Sequence, residues 1–478
     1  MSAITVVPLP APGVRPGAGL STLRLAAMLL RGRAAAGRAV VDALAVATFA
    51  ISTGLMLSVV AGARAFYERQ ASPPASLLGA LGVPAVDASL MSQWTYLAAC
   101  AAVLLVVPLL TLSAAAARMG ALGRDQRLTA LRLLGASSGR AVRLAVAETM
   151  GAAFLGAVLG IVLFWAALPV WGLVSFQTAP LRVAEMSLPP LWIAGVAMAV
   201  VVLAGIAAAA GLSGVRLSPL GVARRAEAAG VRWQRFIAIP VVLVVWVVVA
   251  PRLHLKGGAV VGVIAMLIVL AVFMAVVNLV GPLALQVVGR FLAGRNGSVS
   301  LVAGRRLLDD PRGAWRNVSG LAFIGFIGGA LATLPQLSTG NPLSVVLAAD
   351  LRTGALVTLA IAFVTAATST ALNQASAVLD RRAVLVSLDH AGAPRTFLHA
   401  VRRREVLVPT LVASIGSAAL GVVFFGWLRA TSSVPGSAAG PLVLMGILIG
   451  GVALVLAASE SCRPLVRGVL VGAGQRAE

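Results

Sequence analysis

Ten runs of about 20 apolar residues recur along this chain, and they constrain its fold more than any other feature. They cover approximately 40–63, 94–117, 146–168, 190–212, 236–251, 258–280, 318–336, 353–377, 406–428 and 440–459. A helix rises about 1.5 Å per residue, so such a run crosses the roughly 30 Å hydrocarbon layer of a bilayer. In lipid a lone strand leaves its backbone groups unpaired, and the alternation of a membrane barrel is absent. The runs therefore predict an all-α polytopic membrane protein with about ten spans. The fifth run is the shortest and is bracketed by Pro240 and Pro251.

The distribution of charge supplies an orientation. The chain carries a net charge of +23, yet its basic residues form no patch with interleaved aromatics of the kind that binds nucleic acid. Taken alternately, the segments between the runs fall into two sets. Segments 1–39, 118–145, 213–235, 281–317, 378–405 and 460–478 hold 31 of the 38 Lys and Arg residues, and the other set holds 7. Positive residues are retained on the cytoplasmic side, so both termini are expected there. Topology and contact with anionic headgroups account for the charge, and no nucleic-acid partner is expected.

Residues 1–20 are a Pro/Gly-rich polar tail. Residues 21–38 set Arg24, Arg31, Arg33 and Arg38 among Leu and Ala, which suits a helix lying in the membrane interface. The first run is too long for the apolar core of a signal peptide and is expected to remain as a span. Cys100 lies in the second run and Cys462 in the C-terminal tail, so no disulfide framework is expected. The longest outer segment, 64–93, allows a local cap or a short helix but little independent core.

Enzyme signals are weak. Neither the spacing of His254, His390 and His399 nor their neighbouring carboxylates suggest a metal site, and the Gly-x-Ser-x-Gly string at Gly135–Gly139 lies in a stretch between two apolar runs, without the strand before it that a nucleophile elbow needs. The one lysine, Lys256, is preceded by Leu255 and followed by Gly257, which excludes a standard phosphate-binding P-loop. If ATP drives this protein, another chain hydrolyses it.

Ion-coupled carriers need ionisable groups at depth. Asp42 lies at the inner end of the first run, four residues after Arg38, and Asp350 and Arg352 lie at the outer end of the eighth. Glu148 and Glu405 open their runs on the inner side, while Asn278, Asn373 and Gln374 are polar but do not titrate. This pattern counts against a proton-driven carrier. Small residues four apart, at Gly156/Gly160, Gly258/Gly262, Gly325/Gly329 and Gly446/Gly450, let helices approach closely and identify no function.

Two stretches between runs repeat one another. Residues 131–148 read L-R-L-L-G-A-S-S-G-R-A-V-R-L-A-V-A-E, and 388–405 read L-D-H-A-G-A-P-R-T-F-L-H-A-V-R-R-R-E. In register, Leu131 meets Leu388, Gly135 and Ala136 meet Gly392 and Ala393, and Glu148 meets Glu405. Each copy joins one apolar run to the next, so the chain reads as a duplicated architecture. Leu128, Leu131 and Leu134 share one helical stripe, as do Val384, Leu385 and Leu388. Gly135 and Gly392 fall where a left-handed C-terminal cap is wanted, and Pro394 stops the second helix. Each elbow is thus a short helix with an apolar stripe, joined to two spans. The residues alone allow either an anchor on the membrane surface or a piece that docks into a cytoplasmic partner.

The run Leu-Arg-Leu-Leu-Gly-Ala, followed by a basic stretch, Glu148 and a Gly-rich apolar helix, resembles the FtsX-like permease family. These are the membrane subunits of mechanotransmission-type ABC transporters. The second copy resembles a diverged form, with Ala391-Gly392 where the first has Leu134-Gly135. Residues 305–316, R-R-L-L-D-D-P-R-G-A-W-R, are similar to what precedes the first span of such a unit. The resemblance covers about 40–212 and 300–460. It implies two four-helix units there, a linker and inserted two-helix hairpin at 213–299, and cytoplasmic segments at 1–39 and 461–478.

The resemblance further implies a permease of a bacterial plasma membrane, powered by a separate cytoplasmic ABC ATPase present in two copies. That partner binds the ATP, and this chain is neither an enzyme nor a cofactor carrier. Leu128, Leu131, Leu134, Gly135, Ala136, Glu148, Leu385, Leu388, Gly392, Ala393 and Glu405 would couple the ATPase to the spans. The cargo would be a hydrophobic or amphipathic molecule exported or extracted from the bilayer. Signalling without transport, an ion-coupled secondary transporter with its own pseudo-repeats, and a membrane scaffold are the alternatives. The family's sizeable extracytoplasmic domain is missing, since only 64–93 and about 337–352 occupy those positions.

Overall fold

The computed structural model describes residues 39–122, 138–213, 259–333, 342–380, 387, 392, 394–430 and 440–460. The apolar runs become helices. α1 is Ala39–Ala71, α2 Ala75–Leu81, α3 Ala88–Leu122 and α4 Ser138–Trp171. A minimal hairpin follows, with β1 at Ser175–Phe176 and β2 at Ala179–Pro180, then α5 at Val183–Met186 and α6 at Pro190–Ser213. The remainder comprises α7 (Ala259–Ala293), α8 (Ser298–Asp309), α9 (Pro311–Thr333), α10 (Pro342–Asp380), α11 (Arg395–Ala430) and α12 (Gly440–Glu460).

Nine of the ten apolar runs fall on these helices, whereas 236–251 and the interfacial segment 21–38 lie outside the described residues. Among the described residues, seven helices are long and apolar enough to cross a membrane. α3 and α9 carry shorter apolar stretches, Pro108–Ala117 and Val318–Thr333. Phe154, Leu155, Val158, Leu159 and Val162 stand exposed along α4, and Leu191, Met198 and Ile206 along α6. An apolar surface that continuous is unfavourable in water and suited to acyl chains. The chain is an all-α, multi-pass membrane protein.

Without a hydrophobic drive between helices in lipid, close packing and polar bridges hold the bundle. α1 packs most extensively on α4, and α9 on α11. Glycines make both crossings possible. A Cβ on Gly156 would lie 2.8 Å from the Val46 carbonyl, and one on Gly160 would lie 2.7 Å from that of Ala50. On α9, a Cβ at Gly325 or Gly329 would come within 2.5 Å of the carbonyls of Ser414 or Ala418 on α11. Gly446 has open space around it, so its spacing with Gly450 marks no such crossing. The helices α1–α6 and α7–α12 pack as two groups, and the seam between the two groups is made chiefly by α3 against α10. Within the first group, the buried Ser52 hydroxyl bridges α1 to Ser113 of α3 at 2.7 Å.

Segment 64–93 is largely helical. α1 continues past its apolar run through an Arg64–Glu68 pair one turn apart, 2.5 Å long. α2 ends at Gly82, whose φ of 66° provides a left-handed cap. Leu77, Met91 and Trp94 are buried there against Phe66, Leu343 and Leu347, which gives the outer segment a small core shared with α10. On the other side of the bundle, α8 buries Ala303 and Leu307 and packs on α7 and α11. Gly304 permits this approach, since a Cβ there would lie 2.8 Å from the Gly289 carbonyl.

Candidate functional site

α4 and α11 are the helices that directly follow the two elbows, and the end at which they begin is the elbow end. Leu128, Leu131, Leu134, Gly135, Ala136, Leu385, Leu388 and Ala393 lie outside the described residues. Gly392 has φ 76°, the left-handed conformation expected of it, with no atom near enough to crowd a side chain. Glu148 is half-buried about three turns into α4.

Glu405 joins its helix to a neighbour. Its carboxylate accepts a hydrogen bond from the Arg306 guanidinium of α8 at 3.0 Å, and both side chains are about three-quarters buried. Its neighbours extend the attachment. The Arg404 guanidinium donates to the Ser300 hydroxyl on α8, and Arg402 donates to the Ser459 carbonyl on α12 at 3.3 Å. Consecutive helical residues project about 100° apart, so one short basic stretch ties α11 to two different neighbours. Ion pairs of this kind hold well only where water is partly excluded.

At the opposite end a second polar cluster joins the two helix groups. Arg69, near the end of α1, is 2% exposed. Its guanidinium donates to Glu185 at 2.7 and 3.0 Å, and to the hairpin carbonyls of Phe176 and Pro180 at 2.8 Å each. The planar fork of arginine suits this divided role. The hairpin turns on Gln177 and Thr178, which have φ of 56° and 61°. Positive φ at both central positions is what a tight type I′ turn needs, and it is strained for residues other than Gly, Asn or Asp.

The strain is held from across the bundle. The backbone N–H of Gln177 donates to both carboxylate oxygens of Asp350 on α10, at 2.9 and 3.1 Å. The Trp94 indole of α3 donates to the same carboxylate at 2.7 Å. Phe176 adds an edge-on contact with Phe66, centroids 5.1 Å apart. Gln177 is fully buried, and among the described residues its side-chain amide has no partner. This clasp brings α1, α3, the hairpin and α10 to one point.

The sequence placed Asp350 at the outer end of its span but pointed to none of Arg69, Trp94, Gln177 or Glu185. Asp350 and Gln177 are 173 positions apart, and Arg69 and Glu185 are 116 apart, so no local spacing joins them. Gln-Thr is also not a turn-forming pair. Asn278, noted for its polarity, accepts from the Trp315 indole at 3.1 Å and so ties α7 to α9. No protein-family model, curated protein or solved structure matches this chain.

Proposed function

We propose that this chain is the permease subunit of an FtsX-like, mechanotransmission-type ABC transporter, built from two four-span units around an inserted hairpin. In this reading both termini face the cytoplasm of a bacterial cell, and a separate ATPase dimer binds and hydrolyses the ATP. The observation that carries the reading is a parallel between the halves. Each has an elbow of matching sequence leading into its third span, and each packs that third span most tightly on its first, over glycines four apart. The seam, formed by the second span of each half, is what a pseudo-two-fold arrangement would use.

Mechanism follows from where force would enter. An ATPase closing on the elbows would push on the start of α4 and of α11. Because α4 is packed on α1 and α11 on α9, each pair would rock as one body. Glu405 and Arg404 would carry the same push into α8. At the far end, the hairpin that follows α4 grips Asp350 of the other half, so tilting would be felt at the seam. A hydrophobic or amphipathic molecule in the bilayer is the cargo that such a movement between apolar helices suits.

The test is assembly and energy source together. Purified from its native membrane, the chain should carry a cytoplasmic ATPase with it, with a mass corresponding to one permease and two ATPase subunits. Transport by the chain alone, driven by an ion gradient in vesicles without any ATPase, would reject the proposal in favour of a secondary transporter.

A further inference from the structure

At the elbow end, α11 and α12 leave a cleft of about 260 Å³ walled by Arg402, Arg403, Val406, Leu456, Ser459 and Glu460. Its inner wall is apolar, with Val406 buried and Leu456 half-buried. Its mouth is charged, and two guanidiniums there oppose one carboxylate. Arg402 is fixed by its bond to the Ser459 carbonyl, one of the last carbonyls of α12. Arg403 is exposed, and Arg404 is turned away towards Ser300 on α8.

The position of the cleft indicates where a ligand would come from. Leu442, Ile449, Leu456 and Glu460 recur at intervals of seven, seven and four, and so share one stripe of α12. Leu442 and Ile449 are 72% and 63% exposed, as lipid-facing side chains are. The cleft therefore closes the end of a lipid-facing stripe, at the depth where apolar helix gives way to basic sequence. A charged group reaching it along that stripe is attached to an acyl chain.

We propose that this cleft binds the headgroup phosphate of an anionic membrane phospholipid, whose acyl chains lie along the α12 stripe. Arginine pairs phosphate oxygens through parallel N–H donors, and basic pockets between membrane helices on the positive side suit anionic headgroups. The volume falls below the roughly 300–1,000 Å³ of sites that enclose a whole small molecule, so only the headgroup enters. The proposal rests on the chain being embedded in a membrane and not on any ATPase.

Native mass spectrometry of the full chain in mild detergent, titrated with phosphatidylglycerol or phosphatidylcholine, tests it. One phosphatidylglycerol adduct should survive collisional activation that strips phosphatidylcholine. Arg403→Gln should lower its occupancy about tenfold, as expected for losing one charge-assisted hydrogen bond. Leu456→Trp, which fills the cleft without changing charge, should do the same. Arg305→Gln, an exposed position on α8 outside the cleft, should leave occupancy unchanged. Excess sodium phosphate should not displace the adduct. Equal retention of the two lipids, indifference to both cleft substitutions, or displacement by inorganic phosphate would each overturn the assignment.

Discussion

Arg69 holds together groups that otherwise have little reason to meet. Its guanidinium satisfies the carboxylate of Glu185 and the carbonyls of Phe176 and Pro180, and it does so almost fully out of solvent. Truncating it would leave all three acceptors without this donor. Removing one member of a buried pair costs about 3–5 kcal/mol, and the partial exposure of Glu185 places this case at the lower end. Arg69→Ala should therefore lower the midpoint of thermal unfolding in detergent by about 3 °C. Arg69→Lys should recover only part of the loss, because an ammonium cannot reproduce the planar fork. An unchanged midpoint in Arg69→Ala would mean that apolar contacts of Phe176 and Leu181 suffice to hold the hairpin.

Among elements, the crossings of α1 with α4 and of α9 with α11 are the closest-built parts of the bundle. A methyl group at Gly156 or Gly329 meets backbone atoms, which cannot swing aside as a side chain can. Gly156→Ala and Gly329→Ala should each destabilise by about 1–3 kcal/mol. Gly416→Ala and Gly446→Ala open onto free space and should be neutral or gain less than about 1 kcal/mol, since alanine is the better helix former. Chemical unfolding in mixed micelles would separate the two classes. Glycine spacing in the sequence marked both crossings, but it marked Gly446/Gly450 equally. Spacing reports a smooth helix face and says nothing about whether a partner lies against it. Apolar length likewise predicted the helices while missing how far α1 runs, because Arg64, Glu68 and Arg69 are helix formers that no hydropathy pattern includes. The hairpin at 175–180 was illegible for a stronger reason. Its turn residues do not favour the conformation they adopt, and Asp350 and Arg69 impose it from elsewhere in the chain.

For the whole molecule, the charge split between alternate segments predicts which face lies inside. Cysteine introduced at Ala80, exposed at the end of α2, should react with an impermeant maleimide in intact cells. One at Ser138, the first residue of α4, should react only after permeabilisation. The reverse result would invert the orientation. The duplication is a reading of the sequence, drawn from matching elbows at matching places in the hydropathy pattern, and Glu405 was singled out by that register alone. Its partner Arg306, 99 positions away, was not, since nothing local connects them. If the elbows transmit the work of a cytoplasmic ATPase, ATP hydrolysis by the co-purified complex reconstituted in vesicles should depend on them. Leu131→Asp with Leu134→Asp, or Leu385→Asp with Leu388→Asp, would place carboxylates on the stripe that the proposed ATPase would cover, at a cost of a few kcal/mol. Permease-dependent hydrolysis and ATPase binding should fall together, while each variant still inserts into the membrane. Full binding and full permease-dependent hydrolysis in both double variants would mean that the elbows transmit nothing and serve as anchors on the membrane surface.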